Sequence, residues 1–308
     1  MPSHQVNIIP SHQIDKQKWD KCVTHSFNGS IYARSFYLDI MSSHWDGLVL
    51  NDYQAIMPLL WKRKYGFSYL YQPMFIRHTA VCGYFTDEII SSFFSAVPKH
   101  FKYWNIDLKE NSINPHIITN PHLYLNKRRN FLLPLNKEYR EINKEYKRLA
   151  HRMLKKAYEN NVDIIRNCDP EVVIDFYRTN YKNQQKNITP ANYKDLVTAT
   201  RIAFNQGQAQ TYLAKIKEKI IAAYMILKDE NFIYSLIGGS NDTGKKYGAF
   251  YLLTDAAIKD NCQTERIFRF EGSDKKGIAL FNSQFNPMPV DYYNIKFNGL
   301  PWPLKLLK

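Results

Sequence analysis

The sequence of 308 residues has little of what marks a secreted, metal-binding or membrane-spanning protein. Its four cysteines are scattered without a CxxC pair, which indicates reduced thiols and a cytoplasmic location. The nine histidines show no metal-ligand spacing, so we expect no metal site. No apolar run approaches the roughly 20 residues that span a bilayer. We also expect no signal peptide, because the first residues lack a basic start followed by an apolar stretch.

Acidic side chains are scarce as well: 28 Asp and Glu stand against 42 Lys and Arg, which gives a formal net charge of +14. This charge favours an anionic partner such as nucleic acid, a membrane surface or a phosphorylated small molecule, and a solvated lysine-rich surface explains it equally well. What the chain does have is apolar: 44% of its residues are hydrophobic and 15% aromatic, enough for a substantial core. Its length suits two ordinary domains or one large one.

The two halves of the chain show the same order of predicted elements. In the second half we predict three strands, a helix and a strand, over 211–216, 219–228, 232–239, 247–261 and 267–271. In the first half the same order falls on 48–50, 54–64, 67–73, 87–101 and 103–110. Each half then has a final strand, at 130–135 and 290–295. The pattern predicts an internal duplication with an α+β fold, and a single large α+β domain is the alternative.

Three helices are predicted between the halves and before the second set of strands. The stretch 141–162 is a basic amphipathic helix, whose lysine and arginine face either binds phosphate groups or is merely solvated. Helices over 170–185 and 190–206 each begin at a proline, whose missing N–H costs nothing in the first turn.

Two stretches carry a resemblance to a known family: IYSLIGGSNDTGKKYGAFYLLTDAAIK (233–259) and FRFEGSDKKGIALFNSQFN (268–286). They resemble the tandem-GNAT acyltransferase family related to the Fem peptidyltransferases, in the branch of FemAB-like and cellulose-biosynthesis-type members. The resemblance implies two GNAT-like domains in tandem, each a central, mostly antiparallel sheet flanked by helices. Residues 1–140 would form an acceptor-side domain without a cofactor. Residues 141–308, with linker helix 141–162, would form the domain that binds the acyl donor.

The resemblance also implies a binding site for the pyrophosphate of acyl-CoA, where backbone N–H groups meet the start of a helix. The matching positions are Gly239, Ser240, Asn241, Gly244, Lys245, Lys246, Gly248 and Ala249. The run departs from the usual Gln/Arg-x-x-Gly-x-Gly/Ala signature, with lysine at the first position and phenylalanine at the last. A surface loop with solvated lysines is the alternative interpretation.

Two residues are candidates for the chemistry. Glu271 ends an apolar strand beside a Gly-Ser turn, where a carboxylate can remove a proton from an attacking amine. Alternatively it pairs with Arg269 or a nearby lysine and shapes the corner, with Ser273 as N-cap of the next helix. Tyr292 is the candidate general acid that the resemblance implies for the departing thiolate. Other tyrosines of the second half remain open for this role.

The resulting hypothesis is an N-acyltransferase that moves an acyl group from acetyl-CoA or another acyl-CoA to an amine, without a metal. The amine would belong to a sugar, a lipid or a cell-wall precursor. One alternative is Fem-like aminoacyl transfer from charged tRNA, although no long helical arm is visible between Val162 and Thr211. Another is a catalytically degenerate GNAT pair that acts as a binding protein.

Overall fold

The computed structural model describes residues 5–110, 123–182, 187–302 and 305. The chain divides into two compact units. Unit 1 comprises Met1–Arg128 and Asp291–Lys308, and unit 2 comprises Arg129–Val290. The division into domains at residue 140 stays a prediction; the units divide twelve residues earlier, and the last strand of the chain groups with unit 1.

The strands follow the predicted order closely. They are β1 (Val6–Pro10), β2 (His44–Leu50), β3 (Ala55–Lys64), β4 (Phe67–Tyr71), β5 (Cys82–Gly83), β6 (Phe101–Leu108), β7 (Leu123–Pro134), β8 (Asp163–Arg166), β9 (Ala209–Ile216), β10 (Lys219–Lys228), β11 (Phe232–Ser240), β12 (Ile267–Arg269) and β13 (Met288–Asn298).

The helices surround these strands. They are α1 (Lys16–His25), α2 (Ser35–Met41), α3 (Asp87–Ala96), α4 (Tyr139–Lys144), α5 (Arg148–Glu159), α6 (Pro170–Tyr181), α7 (Pro190–Asn205), α8 (Asp242–Tyr247), α9 (Ala249–Lys259) and α10 (Lys276–Asn282). Among the described residues, none of the helices is long and apolar enough to cross a membrane. The same residues contain no group of three or more His, Cys, Asp or Glu side chains placed to hold a metal ion.

In unit 1, β1 to β4 form an antiparallel meander, and β6 pairs with β4 in parallel. Strand β13 then pairs antiparallel with β6. Helix α3 buries Ile89, Ile90 and Phe93 against the sheet, in a core that includes Leu48 and Trp104. The predicted order of strand, strand, strand, helix and strand is therefore confirmed in the first half.

In unit 2, β8 to β11 are antiparallel neighbours, β12 pairs with β11 in parallel, and the second half of β7 pairs with β12. Alternate residues of β9 and β10, such as Tyr212 and Tyr224, share a core with α5 and α9. Helix α6 contacts β9, β10 and β11, and α7 contacts β9. Each unit is thus a mostly antiparallel sheet flanked by helices, as the resemblance implies. The predicted final strands are wrong in their assignment, because 130–135 pairs with β12 in unit 2 and β13 pairs with β6 in unit 1.

The prolines at the starts of α6 and α7 confirm the predicted helix boundaries. Pro170 follows the N-cap Asp169, whose carboxylate accepts from the Glu171 N–H. Pro190 follows Thr189, which forms a capping box with Asn192. The predicted helix over 170–185 is confirmed as far as Tyr181. Residues 183–186 lie outside the described residues.

One predicted helix and one predicted loop differ from the structure. The predicted helix over 141–162 is wrong as one element, because it breaks between α4 and α5. The predicted loop over 241–246 is also wrong, because Asp242–Tyr247 forms α8. Gly248, with φ 72°, then takes the left-handed conformation that ends α8 and begins α9.

Candidate active site in unit 2

The candidate site is an opening between the parallel strands β11 and β12. Their ladder comprises Phe232–Ile267, Ile233–Phe268 and Tyr234–Arg269, and β12 ends there. Strand β11 continues to Ser240, so the two chains separate beyond Tyr234. Glu271 lies just past the last paired residue of β12, at the start of this opening.

The alternation of an antiparallel ladder shows which backbone groups face the opening. The N–H of Asn241 donates to the carbonyl of Ile221 across the β10–β11 pair. Because neighbouring residues direct their polar groups to opposite edges, Ser240 and Gly238 direct theirs away from β10. Within the described part of unit 2, no strand pairs with this edge of β11 beyond Tyr234. Gly238 therefore presents an N–H donor and a C=O acceptor to the opening.

Tyr181, the last residue of α6, occupies the far end of this edge. Its hydroxyl accepts from the N–H of Ser240 and donates to the carbonyl of Ser240, both at 3.0 Å. A Cβ at position 239 would collide with the Tyr181 ring, so Gly239 is the residue that admits the tyrosine. The ring of Tyr181 also stacks on Tyr177, with centroids 5.2 Å apart. Gly239 and Ser240, predicted as cofactor-binding residues, thus both contact Tyr181.

The residues predicted to hold pyrophosphate form α8 and the turn into α9. Asn241 caps α8 by accepting from the Gly244 N–H at 2.9 Å. A Cβ on Gly244 would collide with the carbonyl of Ile221, and one on Gly248 with the carbonyl of Met153. Both glycines therefore permit close packing against the chain's own backbone, which is a different reason for glycine than the approach of an anion. Ala249 is fully buried in the core of unit 2.

The two lysines of this run differ in their contacts. Lys245 donates to Asp242 at 2.9 Å, and this hydrogen bond raises the pKa of the lysine. The ammonium of Lys246 lies 5.3 Å from the ring centroid of Tyr247. Only one of the two positive charges is thus neutralised by a carboxylate in these contacts, and binding of a phosphate here stays a prediction.

Glu271 lies in a strained corner between β12 and α10. Its φ is 37°, in the left-handed region that residues with a side chain rarely adopt, and Gly272 follows with φ 71°. Its carboxylate accepts from the Arg269 Nε–H at 3.0 Å, and that guanidinium is almost wholly buried. The ion pair agrees with the structural interpretation of Glu271. Its other oxygen has no hydrogen-bond partner among the described residues.

Asn282 of α10 holds this corner together. Its amide donates to the Ser273 hydroxyl at 3.0 Å and to the carbonyls of Phe270 and Glu271 at 3.3 and 3.4 Å. Ser273 was expected to cap the following helix, and this is wrong, because α10 begins after Lys275. Ser273 is instead buried as an acceptor for Asn282.

Similarity to known proteins was sought at the levels of sequence and structure. No protein-family model matches the chain, and no curated protein matches it at a significant level. Among solved structures, FemX matches with a TM-score of 0.67 and 11% identity, over 98% of this chain and 99% of that one. The C-terminal domain of a putative lysylphosphatidylglycerol synthetase from Agrobacterium fabrum matches with a TM-score of 0.57 and 9% identity, over 95% and 94%.

A tandem GNAT protein from the clavulanic acid biosynthesis pathway matches with a TM-score of 0.56 and 9% identity, over 96% of this chain and 99% of that chain. The chain has the tandem GNAT fold. At these identities the similarity establishes the fold alone. In this fold, the opening between β11 and β12 belongs to the second GNAT-like unit.

The other predicted catalytic residue lies elsewhere in the tandem GNAT fold. Tyr292 is in β13, in the segment grouped with unit 1, whereas Glu271 is in unit 2. A shared role for the two residues stays a prediction. Tyr181 was missed by sequence reasoning, because nothing in its neighbourhood shows that α6 ends against Ser240. The one available signal was Gly238-Gly239 in a strand, since glycine there indicates a close approach by another group.

Proposed function

We propose that the protein is an N-acyltransferase, in which unit 2 binds acyl-CoA and transfers the acyl group to an amine. The observation that carries the proposal is the edge of β11 at Gly238, which offers a backbone donor and acceptor beside a strand that ends early. An extended chain with amide groups binds such an edge as an additional strand would. The arm of coenzyme A is a chain of this kind.

The proposed chemistry places Glu271 at the start of the same opening. The amine nitrogen attacks the acyl carbon, a C–N bond forms, and the thiolate of coenzyme A leaves. The free carboxylate oxygen of Glu271 takes the proton that the nitrogen loses. Tyr292 is retained as the proposed acid for the thiolate. The acceptor is an amine on a sugar, a lipid or a cell-wall precursor, with unit 1 on the acceptor side.

The glycines of α8 and α9 favour a second candidate, aminoacyl transfer from charged tRNA. Gly244 and Gly248 are accounted for by packing against Ile221 and Met153, and the Tyr181 hydroxyl already bonds the end of the β11 edge. A donor that does not bind a pyrophosphate at α8 needs no space beside Gly244 and Gly248. It also leaves the hydrogen bonds between Tyr181 and Ser240 in place. Transfer from an aminoacyl ester would use the same edge and the same carboxylate.

Thermal stability in the presence of donors separates the candidates. We would measure Tm of the full chain with millimolar acetyl-CoA, long-chain acyl-CoA and CoA. A ligand at 100 times its Kd adds about 2.7 kcal/mol, a shift of a few degrees for a chain of this length. The variant Tyr181→Phe keeps the ring and frees the backbone of Ser240. Because the wild-type hydroxyl must be displaced, the variant should bind acyl-CoA about fivefold more tightly.

The matched control is Tyr84→Phe, which removes the hydroxyl of a highly exposed tyrosine in unit 1. It should bind acyl-CoA as the wild type does. If neither the wild type nor Tyr181→Phe responds to any CoA, the acyl-CoA donor is wrong. Assays with charged tRNA then test the second candidate, and failure of both donors would leave a binding protein.

A further inference from the structure

Unit 1 contains a cavity of about 340 Å³ at the place where β1 ends beside β2. Pro10, the last residue of β1, pairs with Asp46, and the chain then leaves the sheet through the turn Ser11–Gln13. Within the described part of unit 1, β2 therefore has no partner strand on this side at His44 and Trp45. Pockets of this size bind small molecules. The lining includes Pro10, Asp39, His44, Trp45, Asp46 and Trp61, none of which the proposed transfer reaction uses.

Strand alternation brings three of the lining side chains onto one face of the sheet. His44 and Asp46 are two residues apart in β2, and Trp61 of β3 is the partner of His44. The imidazole of His44 stacks on the Trp61 indole, with ring centroids 4.5 Å apart. The Nε1–H of Trp61 donates to Oδ2 of Asp46 at 2.8 Å. The register between β2 and β3 therefore fixes an aromatic pair beside a carboxylate.

The second carboxylate of the cavity, Asp39 of α2, already binds an ammonium group. Its Oδ1 accepts from the Nε1–H of Trp45 at 3.0 Å, and its Oδ2 accepts from Nζ of Lys16 at 2.6 Å. Trp45 is almost wholly buried, which fixes the position of its indole. The chain itself thus shows how a primary ammonium group is bound in this lining, by a carboxylate that an indole N–H orients.

Asp46 has the same arrangement as Asp39 but lacks the ammonium group. Its Oδ2 is bound by an indole N–H, whereas its Oδ1 has no hydrogen-bond partner among the described residues. No lysine or arginine in the described part of the chain forms an ion pair with it. Burial raises the pKa of this carboxyl group more than the Trp61 hydrogen bond and the nearby histidines, chiefly His100, lower it. A carboxylate withdrawn from water in this way is stabilised by a cation that pairs with it.

Two comparisons show what distinguishes Asp46 from other carboxylates. Asp255 in unit 2, whose pKa burial also raises, accepts from the Tyr139 hydroxyl through both of its oxygens. Asp52 in unit 1 has a side chain that is 73% exposed and pairs with Lys18 at 2.7 Å. Asp46 is partly withdrawn from water, keeps one oxygen unbound and lines a cavity.

The chemistry of the lining indicates an organic cation. Aromatic rings attract cations through their π-electrons, and tryptophan does so best. A primary ammonium group donates three hydrogen bonds, and Oδ1 of Asp46 is an acceptor for one of them. Among the described residues, no group of three His, Cys, Asp or Glu side chains is placed to hold a metal ion. The lining therefore fits an organic ammonium group better than a metal ion, which needs several oxygen ligands.

We propose that this cavity of unit 1 binds a small organic molecule through a primary ammonium group, which pairs with Asp46 beside the Trp61 indole. The apolar body of the molecule packs against Pro10 and the stacked rings of His44 and Trp61. The site is independent of the proposed acyl transfer, because binding is measured without an acyl donor.

The test is NMR of the indole N–H signals of the full chain, isotope-labelled at tryptophan and titrated with 2-phenylethylamine. The neutral analogue 2-phenylethanol has the same body without the positive charge. We expect the amine to shift the Trp61 signal, which the variant Trp61→Phe assigns, with a Kd of about 1 mM. The alcohol should bind at least about tenfold more weakly, because a charge-assisted hydrogen bond is much stronger than a neutral one.

In Asp46→Asn the amide oxygen still accepts from the Trp61 indole, and only the negative charge is lost. Affinity for the amine should fall by about tenfold or more, and affinity for the alcohol should stay the same. The matched control is Asp52→Asn, which removes the same charge from an exposed position of unit 1. It should bind the amine as the wild type does.

Lys16→Gln should change the affinity in the opposite direction. It removes the cation that neutralises Asp39, so the cavity gains negative charge and binds the amine about twofold more tightly. Partial unfolding weakens binding in any variant, so it cannot produce opposite changes in two of them.

A second pair of probes, glucosamine and glucose, tests whether the carboxylate recognises hydroxyl groups instead. Preference for glucosamine supports the ammonium site, and equal binding of the two sugars overturns it. The proposal is also overturned if the Trp61 signal does not respond to about 10 mM amine, or if Asp46→Asn and Asp52→Asn bind the amine equally. These outcomes do not depend on the acyl-CoA measurements.

Discussion

The two units have the same strand order but differ at the parallel pair. In unit 1, β4 and β6 are paired from Ser68–Phe101 to Tyr71–Asn105. In unit 2, the ladder between β11 and β12 ends after three pairs, at Tyr234–Arg269. The ladder has four pairs in unit 1 and three in unit 2, and in unit 2 strand β11 continues beyond it to Ser240 without a β12 partner.

Unit 1 covers the exposed end of β6 with its own main chain. The N–H of Thr79 donates to the Asp107 carbonyl at 2.7 Å, and the N–H of Lys109 donates to the Thr79 carbonyl at 2.9 Å. Thr79 thereby forms a parallel bridge with Leu108. In unit 2, the Tyr181 hydroxyl bonds the edge of β11, the strand that corresponds to β4, at Ser240. A main-chain segment thus covers a strand edge beside the parallel pair in unit 1, and a side chain does so in unit 2.

The largest expected effect tests whether the open unit carries the chemistry. Glu271→Gln retains an oxygen that accepts from Arg269 and removes the base. We expect acyl transfer to fall by about 100-fold or more, because general bases contribute at least that factor. Initial rates of product formation, with the acyl donor identified by the binding measurements, give the result.

The control for this prediction is Glu265→Gln, which removes an exposed carboxylate in the same unit. Its rate should equal that of the wild type. If Glu271→Gln also keeps full activity while its Tm falls, Glu271 serves only to shape the corner.

The second-largest expected effect tests the main-chain segment at Thr79 that covers the end of β6 in unit 1. Thr79→Pro removes the N–H that donates to Asp107, so the free energy of unfolding should fall by about 3 kcal/mol. Denaturant unfolding monitored by circular dichroism measures the change. Thr79→Ala keeps the N–H and should cost much less. Equal losses in the two variants would show that the backbone bond does not hold the segment in place.

The smallest expected effect concerns a carboxyl group with a raised pKa, of which each unit has one example. In unit 2, burial raises the pKa of Asp255, which accepts from the Tyr139 hydroxyl at 2.9 Å. In unit 1, burial likewise raises the pKa of Asp46, beside the Trp61 indole N–H. A carboxyl group with a raised pKa binds more protons in the native state, so its contribution to stability falls as pH rises from its ordinary value of 3.8 through the folded value.

Asp255→Asn retains an acceptor for Tyr139 and cannot ionise. Its Tm should therefore exceed that of the wild type by about 2 °C at neutral pH, with the difference vanishing near pH 4. Thermal unfolding at several pH values checks this. A difference that grows as pH falls would contradict the sign of the shift.

Local patterns in the sequence predicted much of the fold. Strand β10 has the predicted bounds, and the prolines mark the starts of α6 and α7, because alternation and capping are properties of neighbouring residues. The run Asp-Thr-Gly-Lys-Lys reads as a loop, yet it forms α8 because Gly244 packs on Ile221 and Asn241 caps the turn.

Only those parts of the site that are formed by residues close in sequence were predictable. The position of Glu271 at the end of a strand follows from the apolar run before it, and so does the pairing with Arg269 two residues away. The bond from Tyr181 to Ser240 joins residues 59 positions apart. Such contacts arise from packing and have no signature in a neighbouring stretch of sequence.

The amide of Asn282 has a consequence for how the protein loses function on heating. One side chain on a seven-residue helix holds the left-handed conformation at Glu271 through two carbonyls and a hydroxyl. Backbone strain of this kind persists only while its surroundings enforce it. Detachment of α10 therefore releases the corner, with the sheet still intact. We therefore expect inactivation by heat to precede global melting and to begin where α10 detaches.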